Sequence, residues 1–200
     1  MLLGSYLDGT EIKKYLFGYN REYLTTFKDP CQAYKSVFDI KKLPEDFKMP
    51  KTNKDFFRTL DSIMLVSSRV IRFCVDNGYK NISFINLPGT DYHWLIPKNT
   101  VKYDYKTRDV LFLDYSRKCK AYNQILGPTP VCLVDKTPLG DNFYRTDLSF
   151  GSSIVALHPL ICIGTTTKEK IKAAGLTGCT FRQIFDKYDQ LPDLRAQFKL

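Results

Sequence analysis

Two stretches of this chain follow one pattern, and that repetition constrains the fold more than any other feature. They are "DSIMLVSSRVIRFCVDNGYKNISFINLPG" (61–89) and the region 158–186, which contains "HPLICIGTTTKEKIKAAGLTGCTFRQIF". Each opens on a short apolar run, Ile63–Val66 or Leu160–Ile163, that reads as a buried strand. Hydroxyl residues follow, Ser67 and Ser68 or Thr165, Thr166 and Thr167, suited to accept the free N–H groups of a helix start. Apolar residues then recur at helical spacing: Val70, Ile71, Cys74 and Val75 in one stretch, Ile171 and Ala174 in the other. Gly78 and Gly175 stop the two helices, and period-two strands resume at Ile82, Phe84 and Asn86 and at Cys179 and Phe181. Aligning Gly78 with Gly175 gives an offset of 97, which brings Val66 onto Ile163, Ser68 onto Thr165, Cys74 onto Ile171, Ile82 onto Cys179 and Phe84 onto Phe181. The expectation is two copies of one strand–helix–strand unit.

The glycines are not a phosphate loop. Such a loop needs Gly-x-x-x-x-Gly-Lys-Ser/Thr between a strand and the helix it opens. Gly175 and Gly178 instead follow a helix, at the carbonyl end that repels phosphate.

Around these units the chain reads as one α+β domain over 1–200, a mostly antiparallel sheet with few short helices. Two hundred residues suffice to bury about 70% of the unfolded surface. The charged, proline-containing 39–56 reads as a loop. "TDYHWLIPKNTVKYDYKTRDVLFLDYSRKCKAYNQI" alternates over much of its length and suggests two or three antiparallel strands. "FYRTDLSFGSSIVAL" (143–157) reads as a strand, a turn at Gly151 and another strand. The six cysteines form no C-x-x-C, and several sit in apolar strings, so six reduced thiols are expected. With only two histidines beside them, neither a metal nor another cofactor is expected. No apolar run reaches the length of a membrane helix, and the N-terminus lacks the basic and apolar regions of an export signal, so the cytoplasm is the expected location.

The order of motifs resembles a family. An apolar strand, Ser-Ser and a helix end in Asn-Gly-Tyr-Lys-Asn-Ile-Ser-Phe. "DYHWL", "NFYRTD", "SSIVA" and a terminal Gly-Leu-Thr-Gly-x-x-Phe follow. Over residues 61–185 this resembles immunity proteins of bacterial polymorphic toxin systems, in a group long catalogued as a domain of unknown function. Residues 1–60 match less clearly. The resemblance implies a non-enzymatic protein that binds and silences a cognate toxin by stoichiometric occlusion. A related group carries paired C-x-x-C-Gly motifs; this chain lacks them, so no metal is carried over.

Net charge is +9, which favours an acidic partner or a well-solvated surface. The excess is concentrated in Lys98–Tyr122, with seven basic against three acidic residues and tyrosines between them. Lys102, Tyr103, Tyr105, Arg108, Tyr115, Arg117, Lys118, Lys120 and Tyr122 are the candidate interface to an acidic toxin face, since Tyr and Arg combine large contacts with directional hydrogen bonds. An ordinary exposed sheet face would have the same composition. A basic nucleic-acid-binding protein is the alternative, although no RNA-recognition signature is present. A homodimer is also compatible with the sequence. An enzyme that reverses a toxin's modification is the third reading. Against it, His93 reads as a packing residue and His158 as a turn residue, "GSS" (151–153) is not a hydrolase elbow, and Asp135, Asp141, Asp147, Asp186, Asp189 and Asp193 are dispersed. No catalytic residue is assigned.

Overall fold

The computed structural model describes residues 1–16, 29, 31, 34–40, 47, 49, 52–152 and 155–188. Its strands are β1 (Leu2–Glu11), β2 (Phe56–Arg58), β3 (Met64–Ser67), β4 (Ile82–Asn86), β5 (Tyr92–Pro97), β6 (Thr100–Val101), β7 (Leu111–Ser116), β8 (Ala121–Leu126), β9 (Phe143–Phe150), β10 (His158–Ile163) and β11 (Cys179–Phe185). Its helices are α1 (Val37–Ile40), α2 (Ser68–Asp76), α3 (Tyr105–Arg108) and α4 (Thr165–Ala173). The class is α+β, as expected. The main sheet runs β4-β5-β3-β2-β1-β10-β9-β6, with β11 on β1, while β7 and β8 form a separate hairpin. Among the described residues no helix is long and apolar enough to cross a membrane.

The two glycine-stopped segments have the same strand directions and the same register. β3 and β4 both pair antiparallel with β5, so Leu65 faces Trp94 and Trp94 faces Ile85. β10 and β11 both pair antiparallel with β1, so Cys162 faces Tyr6 and Tyr6 faces Arg182. The steps from Leu65 to Cys162 and from Ile85 to Arg182 are both the offset of 97 read from the sequence. The likeness extends to the strand before each unit. Phe56 and Phe57 face Val66 and Leu65, and Phe143 and Tyr144 face Ile163 and Cys162. "FFRT" (56–59) therefore matches "FYRT" (143–146) in space. Both threonines do one job: the hydroxyl of Thr59 accepts from Ile63 N–H at 3.0 Å, and that of Thr146 from Leu160 N–H at 2.9 Å.

Each half is thus a strand, a strand, a helix and a strand, with a fourth strand inserted centrally. The first half takes its fourth strand, β5, from the residues that follow. The second takes β1 from the start of the chain. Each fourth strand then runs on into the other half. Thr10 and Glu11 pair parallel with β2, and β6, which continues β5, pairs parallel with β9. The sheet thereby curls back on itself.

The helix stops are as read: Gly78 (φ 70°) and Gly175 (φ 62°) are left-handed, and the next residues, Tyr79 and Leu176, return N–H bonds to Cys74 and Ile171. The starts differ from expectation. Ser67 occupies the N-cap but makes no side-chain cap bond, because its hydroxyl donates to Asp55 at 2.7 Å. The N-cap of α4 is Gly164, so Thr165–Thr167 lie inside the helix.

Between the sheet and α2 and α4 lies a core that follows the same correspondence. Twelve of its fourteen fully buried residues form six equivalent pairs: Leu7–Leu95, Phe56–Phe143, Met64–Ile161, Val66–Ile163, Cys74–Ile171 and Tyr79–Leu176. Burying a large apolar side chain contributes about 1.5–3 kcal/mol. Phe181, read from the sequence as core, is half-buried, packed against this cluster beneath the Lys168 ammonium.

Several expectations need correction. Cys31 and Cys119 form a disulfide, leaving Cys74, Cys132, Cys162 and Cys179 as free thiols. Neither bonded cysteine sits in an apolar string, which is why they do not behave like the buried ones. The 39–56 stretch is not all loop: α1 ends at Ile40 and β2 begins at Phe56, and much of the rest lies outside the described residues. In 143–157 one strand ends at Phe150, and the next does not begin until His158, so His158 is a strand residue rather than a turn residue.

Candidate partner interface

The basic, aromatic segment folds into one turn of helix and a hairpin. Asp104 starts α3 by accepting the Thr107 N–H at 3.0 Å, and Asp109, left-handed at φ 53°, ends it. β7 and β8 then pair with Leu111 opposite Leu126 and Tyr115 opposite Tyr122. The tip is Arg117, Lys118, Cys119 and Lys120, closed by Lys120 at φ 50° and by a bond from Cys119 N–H to Ser116 Oγ.

One face of this unit is a ladder of four rings. Tyr105 meets Phe112 at 5.6 Å between centroids, Phe112 meets Tyr122 at 5.2 Å, and Tyr122 meets Tyr115 at 5.0 Å. Cross-strand and helix-to-strand aromatic pairs of this kind hold rings in fixed orientations. Tyr105, Tyr115 and Tyr122 are 45%, 53% and 36% exposed, so the ladder presents apolar area to its surroundings. Arg117, Lys118 and Lys120 are exposed at the tip and form no salt bridge among the described residues.

Two of the nine candidates belong elsewhere. Tyr103 is 2% exposed, meets Phe150 edge to face at 4.8 Å between centroids and donates its hydroxyl to the Pro128 carbonyl. Arg108 is 1% exposed and donates from Nε and Nη2 to the Thr129 carbonyl at 3.0 and 2.7 Å. Both act as internal fasteners between the segment and the 128–129 backbone. Lys102 is exposed but lies before α3, where its carbonyl accepts from Val134 N–H, rather than on the hairpin. The ladder's inner ring, Phe112, was missed as a site residue. Its signal was the spacing of Tyr105, Phe112, Tyr115 and Tyr122 across a hairpin.

The Cys31–Cys119 disulfide fastens the tip to the segment that leads into α1. Beside it, the Asp29 carboxyl is held below its ordinary value by the Cys31 N–H, then by Lys35, with Lys118 adding to the effect. The disulfide and the tip's positive charge thus act on the same short segment.

The residues considered for chemistry have other partners. His93 Nε2 lies 3.4 Å from Ser68 Oγ, and burial lowers its pKa against the opposing pull of Asp91. Asp141 accepts from Tyr79, Thr167 and Lys170, and Asp147 accepts from Tyr103 N–H. Asp189 and Asp193 lie outside the described residues. Among the described residues no three His, Cys, Asp or Glu side chains group as metal ligands. No protein-family model matches the chain, and no curated protein matches it.

Proposed function

We propose that this protein is a cytoplasmic immunity protein that binds a cognate toxin one to one and covers its working surface. The observation that carries the reading is the hairpin, with three exposed tyrosines on a pre-ordered ring ladder beside three cations that form no salt bridge among the described residues. Rigid aromatic side chains lose little freedom when a partner covers them, so more of their contact area is available as affinity. The cations steer an acidic partner during encounter, over a range set by the ionic strength. The motifs behind the family resemblance are structural. Gly78 and Gly175 end helices, and Gly178, at φ 83°, turns the chain into β11. They shape a scaffold and leave the toxin-specific contacts to the surface.

The second reading, single-stranded nucleic acid, draws on the same rings and charges. The ladder favours it less. Its rings meet at interplanar angles of 88°, 56° and 58°, so each covers part of its neighbour's face, the surface on which a base would stack.

Co-expression with the product of the gene beside this one tests the proposal. Arg117→Glu, Lys118→Glu and Lys120→Glu together should abolish protection and the one-to-one complex on gel filtration, with the melting temperature unchanged. Arg108 is left intact because it is internal. Full protection by the triple variant would remove the hairpin from the interface. Tight RNA or DNA binding by the parent in a filter assay, with no toxin complex, would favour the second reading.

A further inference from the structure

On the sheet face away from α2 and α4 both halves are packed, the second around Leu160, Cys162 and Ile184, but the second also borders a cavity. In the first half, Trp94, Ile96 and Ile85 pack with Ile12, Leu16, Val37 and Phe38. The register places Tyr6, Asp8 and Arg182 at the equivalent positions of the second half. These three line a cavity of about 340 Å³, together with Arg58 and His158. The fold does not require polar residues there, since the same positions accept Trp and Ile. Asp8 is buried, Tyr6 is half-buried and Arg182 is exposed at the cavity's edge.

The groups are not fully matched by one another. Arg58 is held by Asp8 at 2.8 Å and by Glu11 at 2.9 Å. Arg182 stands near Tyr6 and forms no salt bridge among the described residues. The Tyr6 hydroxyl makes no hydrogen bond to a described residue, and burial raises its phenol far above the ordinary value, so it keeps its proton and can donate. His158 directs Nδ1 to the Ala156 carbonyl at 3.1 Å. With the ring neutral, that contact makes Nδ1 the donor and leaves Nε2 as an acceptor. The cavity therefore offers, among the described residues, one cation without a carboxylate partner and one hydroxyl donor without a protein acceptor. Beside them the walls carry Ile125, Phe150 and Leu160.

We infer that this cavity binds a small organic oxyanion, with its charged group between Arg182 and Tyr6 and its apolar body against Ile125, Phe150 and Leu160. The volume lies near the lower limit of small-molecule sites, about 300 Å³, which restricts the ligand to a compact acid. A guanidinium and a phenol O–H suit carboxylate and phosphate alike. The site shares Ile125 with the base of the hairpin but none of the exposed tyrosines or tip cations, so its failure would leave the proposed function untouched.

The test is an NMR titration of protein labelled at its two histidine rings, with benzoate in one arm and phenyl phosphate in the other. The His158 Cε1–H resonance should move and saturate, and that of His93 should stay. Arg182→Ala should weaken binding about tenfold or more, because a charge-assisted hydrogen bond is lost. Arg182 is exposed, so this variant keeps its fold. Tyr6→Phe should weaken binding as well. Tighter binding of benzoate would identify a carboxylate site, and tighter binding of phenyl phosphate a phosphate site. No saturable shift with either probe, or equal affinity in Arg182→Ala, would overturn the inference.

Discussion

Trp94 and Tyr6 hold the same place in the two halves, as do Ile96 and Asp8, and Ile85 and Arg182. On the helix side the equivalent residues remain apolar in both halves and form one shared core. On the other side each half also keeps a buried apolar cluster, with Ile63, Leu65 and Leu87 matched by Leu160, Cys162 and Ile184, and the halves diverge at Trp94, Ile96 and Ile85, whose counterparts Tyr6, Asp8 and Arg182 border a cavity. The helix-side residues must fill space around α2 and α4, where a lost methylene is felt at once. The far side in the first half is covered by α1 and the chain after β1, while in the second half the 125–129 backbone and the loop after β9 line the space. The repeated frame thus keeps apolar packing on both faces and varies one corner of the second half's outer face.

The largest effect should come from forcing one half to accept the other's residue. Ser67 and Gly164 are equivalent N-caps. A Cβ at Gly164 would overlap the Gly140 carbonyl, which is backbone and has no rotamer to yield. Gly164→Ser should therefore cost more than about 4 kcal/mol in urea unfolding or prevent folding altogether. The reverse exchange, Ser67→Gly, removes one hydrogen bond to Asp55 and should cost about 1 kcal/mol. A tolerated Gly164→Ser would break the comparison at that corner.

Next in size is a test of the shared core. Phe56 and Phe143 are both fully buried at equivalent positions of the first strands. Phe56→Ala and Phe143→Ala should each cost about 3–5 kcal/mol, through lost transfer energy and the cavity left behind. Similar losses by chemical denaturation would sharpen the equivalence. A small loss at one site alone would show that the halves share a register but not a core.

These residues also show what the sequence could disclose. Helix spacing, glycine stops and strand alternation are local signals, and the offset of 97 drawn from them holds in the pairing of every strand it covers. The match between "FFRT" and "FYRT" was equally visible, but the second half carries a longer connection after it, so a single offset hides it. The placement of β1 could not be read. It pairs with β11 at the far end of the described chain, and such contacts carry no local periodicity. Nor could the interiors of Tyr103 and Arg108 be told from an exposed basic surface. Their burial depends on carbonyls at 128 and 129, which only tertiary structure brings near. The disulfide was misread because cysteine spacing cannot report which residues lie about 5 Å apart in space.

A smaller effect than that of the core truncations is expected at Asp61 and His158, which occupy equivalent positions. Asp61 is fully buried and accepts from Thr59 and from Leu16 N–H. His158 lies beside the cavity, where burial, with the nearby Arg58 guanidinium adding to it, pushes its pKa down to about 4. The unfolded ring titrates near 6.5. Between these values the unfolded chain binds the proton and the native one does not. Stability is therefore intact above about pH 6.5, falls as the pH drops toward 4, and levels off below that. The loss from this residue should be on the order of 2–3 kcal/mol. Asp8 moderates it by neutralising Arg58. His93 is shifted in the same direction and titrates in both proteins, so the difference between wild type and His158→Gln isolates residue 158. Urea midpoints measured from pH 7 to pH 4 should fall more steeply for wild type. The lowered carboxylates, Asp141 and Asp104 among them, lose their stabilising charge at the acid end of this range in both proteins and cancel in the difference. Parallel curves would mean that His158 is solvated, and the second half would then differ from the first in polarity but not in dryness.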